Sequence, residues 1–213
     1  MTRPGPDFAW ERTLIDSGHR MIAGVDEVGR GALAGPVGVA AVILDPARLP
    51  EGIDDSKVLS AARREVLFEK ILKAALACAI VFVSAEEIDQ LNIRAATLAG
   101  MRRALHGLAV RPDFALIDGR DVPEGLVCPA QAIIGGDARS VSIGAASILA
   151  KVMRDRLMRA LDAEVPAYGF ARHVGYGTAA HLAALRREGR SPYHRRSFHI
   201  KVMNLVVGRV GDD

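Results

Sequence analysis

Residues 21–44 read MIAGVDEVGRGALAGPVGVAAVIL. Met21–Glu27 is short, apolar and bounded by glycine, which predicts a strand, and Val37–Leu44 predicts a second. The glycine-rich stretch between them is short enough to fold the two into a hairpin. Two features are out of place in such a pair. Asp26 and Glu27 close the first strand, where a carboxylate is costly unless paired. Gly29-Arg30-Gly31 follows at once. Acids beside a basic, glycine-lined loop point to a metal or to a phosphate.

The rest of the chain extends this start. Ser60 is placed to cap a helix running to about Leu76, with Val66, Leu67 and Ile71 at helical spacing. Residues 79–84 (AIVFVS) predict a third strand, and one helix is expected from Ser84 or Ala85 to Leu108. FALIDG (114–119) predicts a fourth strand ending at Asp118. QAIIGGD (131–137) predicts a fifth ending at Asp137. Residues 140–164 are the longest helix signal, and Lys151, Asp155 and Arg159 fall on one stripe of it. After Pro166 come loops, a short helix (TAAHLAALRREG, 178–189) and a last apolar segment. A hairpin followed by alternating strands and helices predicts an α/β domain on a mixed five-stranded sheet, with a C-terminal helical and loop appendage.

Bulk composition narrows the function classes. Half of the 213 residues are apolar, enough for a core without disulfides. Charges interrupt every apolar run, which argues against a membrane span, and the first residues lack a signal-peptide core. Cys78 and Cys128 lack metal-site spacing and fit a reduced, cytoplasmic setting. Residues 1–150 carry 16 Lys/Arg against 19 Asp/Glu, whereas residues 151–213 carry 12 against 6. A basic final third fits a polyanionic partner or a solvated arginine-rich face. Phosphate-loop and dinucleotide motifs do not fit: no GxxxxGK[ST] occurs, and GRGALAG precedes a strand where a helix is needed.

The acids are informative as a set. Asp26, Glu27, Asp118 and Asp137 stand at three strand ends, so the sheet would gather them at one edge. Singly, each has a local explanation, since Asp118-Gly119 suits a turn and Asp137 a helix cap. Asp26 and Glu27 would share a site only if the strand bends, because neighbours in a strand face opposite ways. Gathered carboxylates repel and call for a proton or a divalent cation, and an all-oxygen set favours Mg²⁺ or Mn²⁺. Two such ions are the arrangement for phosphodiester hydrolysis.

Seven motifs, in order, carry a family resemblance: GVDEVGRGALAGPV, DDSKVLS, EEIDQLNI, LIDGR, IIGGDARSVSIGAASILAKVMRDR, YGFARHVGYGT and SPYHRRSF. From about Met21 to Leu205 the chain resembles bacterial ribonuclease HII, the type 2 ribonucleases H. About twenty residues precede the first strand, and the loop reads Gly-Arg-Gly; both fit type 2 better than type 3. The resemblance implies a ribonuclease H-like sheet over residues 21–165, with 1–20 as an N-terminal extension and 166–213 helping to bind substrate. It implies catalytic, metal-binding acids at Asp26, Glu27, Asp118 and Asp137, holding two Mg²⁺ or Mn²⁺ ions; Asp155 is a local rival for the fourth place. Gly29, Arg30 and Gly31 would read the ribose 2′-hydroxyl, and Tyr176 would stack on the neighbouring sugar. Lys57, Ser147, Lys151 and Arg195 match positions near the nucleic acid. His173, His194 and His199 read as structural. Gly144 and Val174 depart from the alanine and lysine common in the family.

The implied activity is endonucleolytic cleavage 5′ to a ribonucleotide, in RNA–DNA hybrids and in duplex DNA with embedded ribonucleotides. A cytoplasmic monomer without a protein partner is expected. The competing class is a nucleic-acid-binding protein without catalysis. It explains the basic C-terminal third but not a set of acids that would repel a polyanion.

Overall fold

The glycines of the first strand show why the chain packs as it does. In the computed structural model, which describes residues 5–199, a Cβ on Gly24 would lie 2.1 Å from the Ser142 carbonyl carbon. A helix therefore presses its backbone directly against the central strand, and only glycine leaves room for it.

Five strands form one sheet: β1 Ile22–Val28, β2 Val37–Leu44, β3 Ala75–Val83, β4 Phe114–Asp118 and β5 Ala130–Ile133, in the order β3-β2-β1-β4-β5. β1 and β2 pair antiparallel, as do β2 and β3, while β1–β4 and β4–β5 are parallel. The sheet is thus mixed, as its sequence pattern predicts. The helices are α1 Ala9–Asp16, α2 Ala61–Ala74, α3 Ala85–Leu91, α4 Ile93–His106, α5 Val141–Glu164, α6 Phe170–His173 and α7 Ala179–Glu188. Ser60, Ser84, Ser140 and Thr178 each accept a hydrogen bond from the amide three residues on, capping α2, α3, α5 and α7.

Strand alternation sorts the core into two layers. Ala23, Val25, Val39 and Ile117 meet Met101, Ala104 and Leu105 of α4 on one face. Ala40, Val42 and Leu44 meet Leu67, Ile71, Ala145 and Leu149 of α2 and α5 on the other. A further cluster of Ala34, Met158, Tyr168, Phe170, Ala184 and Leu185 ties the C-terminal segment to the far end of α5.

Three expectations are corrected, and the N-terminal extension is found to carry a helix. β5 stops at Ile133; left-handed Gly135 turns the chain, and Asp137 sits in a single 3₁₀ turn, Gly136–Ala138, beyond the strand. The single helix expected over 85–108 is two. Asn92 has a positive φ of 71°, and its side chain accepts from the Arg94 and Ala95 amides, ending α3 and capping α4. The region expected as an N-terminal extension contains α1, whose buried Glu11 accepts from Ser140 Oγ (2.6 Å) and the Ser142 amide (2.9 Å), at the start of α5. On the α5 stripe, Lys151 pairs with Asp155 at 2.8 Å, but Arg159 donates to the Asp155 carbonyl and faces Glu65. The last apolar segment lies outside the described residues.

Candidate active site

Parallel pairing brings the first acids together. The β1–β4 register ends with Val25 beside Ile117, so Asp26 and Asp118 come next, at the carboxyl ends of two adjacent strands. Ligand sites of open α/β sheets form at such ends. Carboxylate oxygens of Asp26, Glu27 and Asp118 lie within 4.8 Å of one another. β1 does not bend away to achieve this: its pairing with β2 runs unbroken through Glu27–Val39 and Val28–Gly38. Glu27 lies on the α4 side of the strand. β4 ends at Asp118, and the Glu27 carboxylate still comes within reach of the other two. Glu27 and Asp118 line one shallow cleft together with Arg30, Arg94 and Arg120.

The electrostatics are those of buried acids crowded together. Burial pushes the Asp26 carboxyl well above its ordinary pKa. The charges of Glu27 and Asp118 add to this, while the Ser147 hydroxyl and the Glu27 amide pull the other way. Glu27 is also raised by burial and by Asp118, against the Arg30 guanidinium 3.6 Å away. Asp118 is raised by burial, and the Gly136 amide donating at 2.7 Å opposes the shift. Three acids that raise one another's proton affinity are costly as bare anions, and a divalent cation relieves that cost. The donor set is all oxygen, which fits Mg²⁺ or Mn²⁺.

Asp137 lies outside this trio of oxygens but next to it. It is buried, Lys57 donates to it at 3.2 Å, and its charge acts on Asp118. Burial lowers the Lys57 pKa, but Asp137, Asp55 and Asp26 outweigh that and leave it raised. Asp155 is engaged by Lys151 instead.

Gly29-Arg30-Gly31 leaves β1 directly above the acids. Gly29 has a φ of 90°, and a Cβ there would sit 2.1 Å from Arg154 Nε, so the position demands glycine. Arg30 and Gly31 are exposed. The Tyr176 ring stands beside the loop, with Cε1 3.9 Å from where a Gly31 Cβ would be. The structure therefore brings Tyr176, the loop and the acids to one face.

Three residues expected near nucleic acid have their side chains engaged within the protein. Arg195 is 1% exposed and donates three hydrogen bonds to backbone carbonyls, so its guanidinium is not free to meet a phosphate. Ser147 is buried against Asp26 and shares a 2.9 Å hydrogen bond with Ser56. Lys151 is half-buried and occupied by Asp155. Lys57 alone of that group is largely exposed. His173 and His194 are buried and hydrogen-bonded, and His199 is exposed. Arg154 went unnoticed in the sequence. It is fully buried and donates to the carbonyls of Pro36, Val174 and Ala34. Its position between Ala150 and Met158, on the apolar stripe of α5, was the available signal.

The chain is similar to known proteins over most of its length. Residues 23–201 match the family model described as Ribonuclease HII. The ribonuclease HII of Xanthomonas campestris pv. campestris (strain 8004) is 60% identical over 180 residues, covering 84% of this chain and 75% of that protein. The ribonuclease H2 crystal structure from Pyrococcus horikoshii OT3 is similar at a TM-score of 0.73 and 27% identity, covering 84% of this chain and 94% of that one. The ribonuclease HII of Archaeoglobus fulgidus, solved in complex with PCNA, is similar at a TM-score of 0.70 and 28% identity, covering 85% and 96%.

Proposed function

The chain belongs to the ribonuclease HII family and is a ribonuclease H, and from that premise we propose that it is an endonuclease directed at single ribonucleotides. It hydrolyses the phosphodiester on the 5′ side of a ribonucleotide and leaves a 3′-hydroxyl and a 5′-phosphate. Its substrates are RNA–DNA hybrids and duplex DNA with embedded ribonucleotides, which places it in ribonucleotide removal from DNA. The observation that carries this reading is the cluster of Asp26, Glu27 and Asp118 beside the Gly29–Gly31 loop.

Asp26, Glu27, Asp118 and the adjoining Asp137 would hold two divalent ions, Mg²⁺ or Mn²⁺. Such ions, when bound, lower the pKa of a water and offset charge on the departing oxygen. The Glu27 amide, donating at 2.7 Å, holds the Asp26 carboxylate in place. Lys57 neutralises Asp137 and stands exposed where a phosphate would approach. Backbone groups of Gly29, Arg30 and Gly31 face the 2′-hydroxyl, which separates RNA from DNA. Tyr176 packs on the adjacent sugar. The C-terminal region, 166–213, joins the catalytic domain in holding the duplex, and binding weakens with salt because it gains from releasing the counterions of the phosphates.

Among the described residues no helix is long and apolar enough to cross a membrane. A cytoplasmic monomer remains part of this proposal. The expectation of no protein partner is not carried forward, because the Archaeoglobus relative was solved with PCNA. Residues 200–213, where the sequence has too few aromatics for a clamp-binding peptide, lie outside the described residues.

Asp118→Asn tests the reading. On a duplex with one embedded ribonucleotide, in Mg²⁺ or Mn²⁺, its cleavage rate is expected to fall roughly 10²–10³-fold, and EDTA should stop the native enzyme. Full activity in Asp118→Asn would refute the acid site.

A further inference from the structure

The Gly29–Gly31 loop is shaped by a residue some 165 positions away. The buried Arg195 guanidinium donates to the carbonyls of Gly29 (2.7 Å), Arg30 (2.7 Å) and Gly35 (3.0 Å). The described chain has no cis peptide bond. In a trans peptide the C=O and the following N–H point in opposite directions. With the Gly29 and Arg30 carbonyls turned inward onto Arg195, the Arg30 and Gly31 amides must turn outward. Both residues are exposed, and neither amide has an acceptor among the described residues. Two parallel donors therefore face the solvent beside the acids, ready for an oxygen.

The same C-terminal segment fixes the rest of the loop. The Leu33 amide donates to the Gly175 carbonyl, the Gly35 amide to Tyr193 and the Arg195 amide to Leu33, at 2.8, 2.8 and 2.9 Å. Arg154 holds the carbonyls of Ala34, Pro36 and Val174. Val174 needs that hold: its φ of 44° lies in the left-handed region, which a β-branched residue avoids.

We propose that Arg195 is a positioning residue that sets ribonucleotide specificity: by binding the Gly29 and Arg30 carbonyls, it presents the Arg30 and Gly31 amides to a 2′-hydroxyl oxygen. This rests on the loop being the ribose reader. Lysine cannot replace it, because a guanidinium offers five donors in a rigid fork and an ammonium is a single point. Arg195→Lys keeps the charge but frees at least one of the two peptides to rotate.

The test uses two labelled duplexes identical except for one 2′-hydroxyl, bound in Ca²⁺ and followed by fluorescence anisotropy. Native protein should bind the ribonucleotide duplex more tightly. In Arg195→Lys that preference should shrink about tenfold, the worth of one hydrogen bond, with affinity for the all-DNA duplex unchanged. Equal weakening on both duplexes would mean a direct phosphate contact and overturn the proposal, as would an unchanged preference. If Arg195→Lys does not fold, ¹⁵N NMR of the native protein decides. The Arg30 and Gly31 amide signals should differ between the two complexes, and identical signals overturn the inference. A native protein that binds both duplexes alike would remove the ribose-reading itself, and this inference with it.

Discussion

Asp26 and Arg30 are four residues apart, yet the two halves of the site they belong to are built by opposite means. Asp26, Glu27 and Asp118 are held by the sheet, with Asp137 in a turn beside it. Asp26 and Asp118 end paired parallel strands at its centre, and α5 presses on β1 closely enough to exclude any side chain at Gly24. Among the described residues the loop pairs with no strand of the sheet, and Ala34 makes an isolated bridge to His194. The loop's carbonyls are taken by Arg154 and Arg195, which reach it from α5 and from the last described residues. Metal-binding oxygens need positions fixed to a fraction of an ångström, which a central sheet supplies. A reader of one hydroxyl needs a backbone turned the right way, and that orientation comes from distant donors. The chemistry is thus local to the sheet, whereas recognition depends on the chain being folded from end to end.

Substituting glycines on either side of this divide separates the two halves. Gly24→Ala drives a methyl into the α5 backbone, so unfolding stability in urea should drop by about 3 kcal/mol, with activity lost as the protein unfolds. Gly31→Ala meets nothing nearer than Tyr176 Cε1 at 3.9 Å. Its stability should stay within about 0.5 kcal/mol of the native value, while kcat/KM on an embedded ribonucleotide falls at least about tenfold through misplacement of the sugar. If Gly31→Ala lost stability and kept activity, the division would be wrong.

Acid should loosen the loop's support. His194, next to Arg195, contacts His181 at 3.0 Å between their Nε2 atoms, and His173 stacks on His181. Ser191 and Arg190 flank the pair. Burial and the neighbouring His181 lower the His194 pKa from 6.5 to about 4. His181 is lowered too, mainly by burial. Between those values the unfolded chain binds a proton that the folded chain does not, so stability is full above pH 6.5 and declines as pH falls toward 4. The melting temperature should track that window, and His194→Gln should flatten the dependence. A native curve already flat from pH 4 to 7 would contradict this.

Much of the sheet half was legible in the sequence. Apolar runs bounded by glycine located the strands, and acids at their ends pointed to one edge. Tertiary contacts decide the remainder. Asn92 sits between stretches that both favour helix, and only its positive φ reveals the break. Asp137 followed an apolar run, yet left-handed Gly135 carried it past the strand into a turn. Arg195 in SPYHRRSF is expected near the nucleic acid from the family resemblance, and an arginine in a basic segment is ordinarily exposed. The carbonyls that bury it belong to residues 29–35, brought near only by folding. Arg154 was hidden by the same assumption, although it lay on a buried stripe.

The most direct test of the whole account is cleavage-site mapping on two duplexes that differ by one 2′-hydroxyl. A single incision is expected on the 5′ side of the ribonucleotide, with 3′-hydroxyl and 5′-phosphate ends, and none in the all-DNA duplex. Equal cutting of both duplexes, or incision elsewhere, would contradict it.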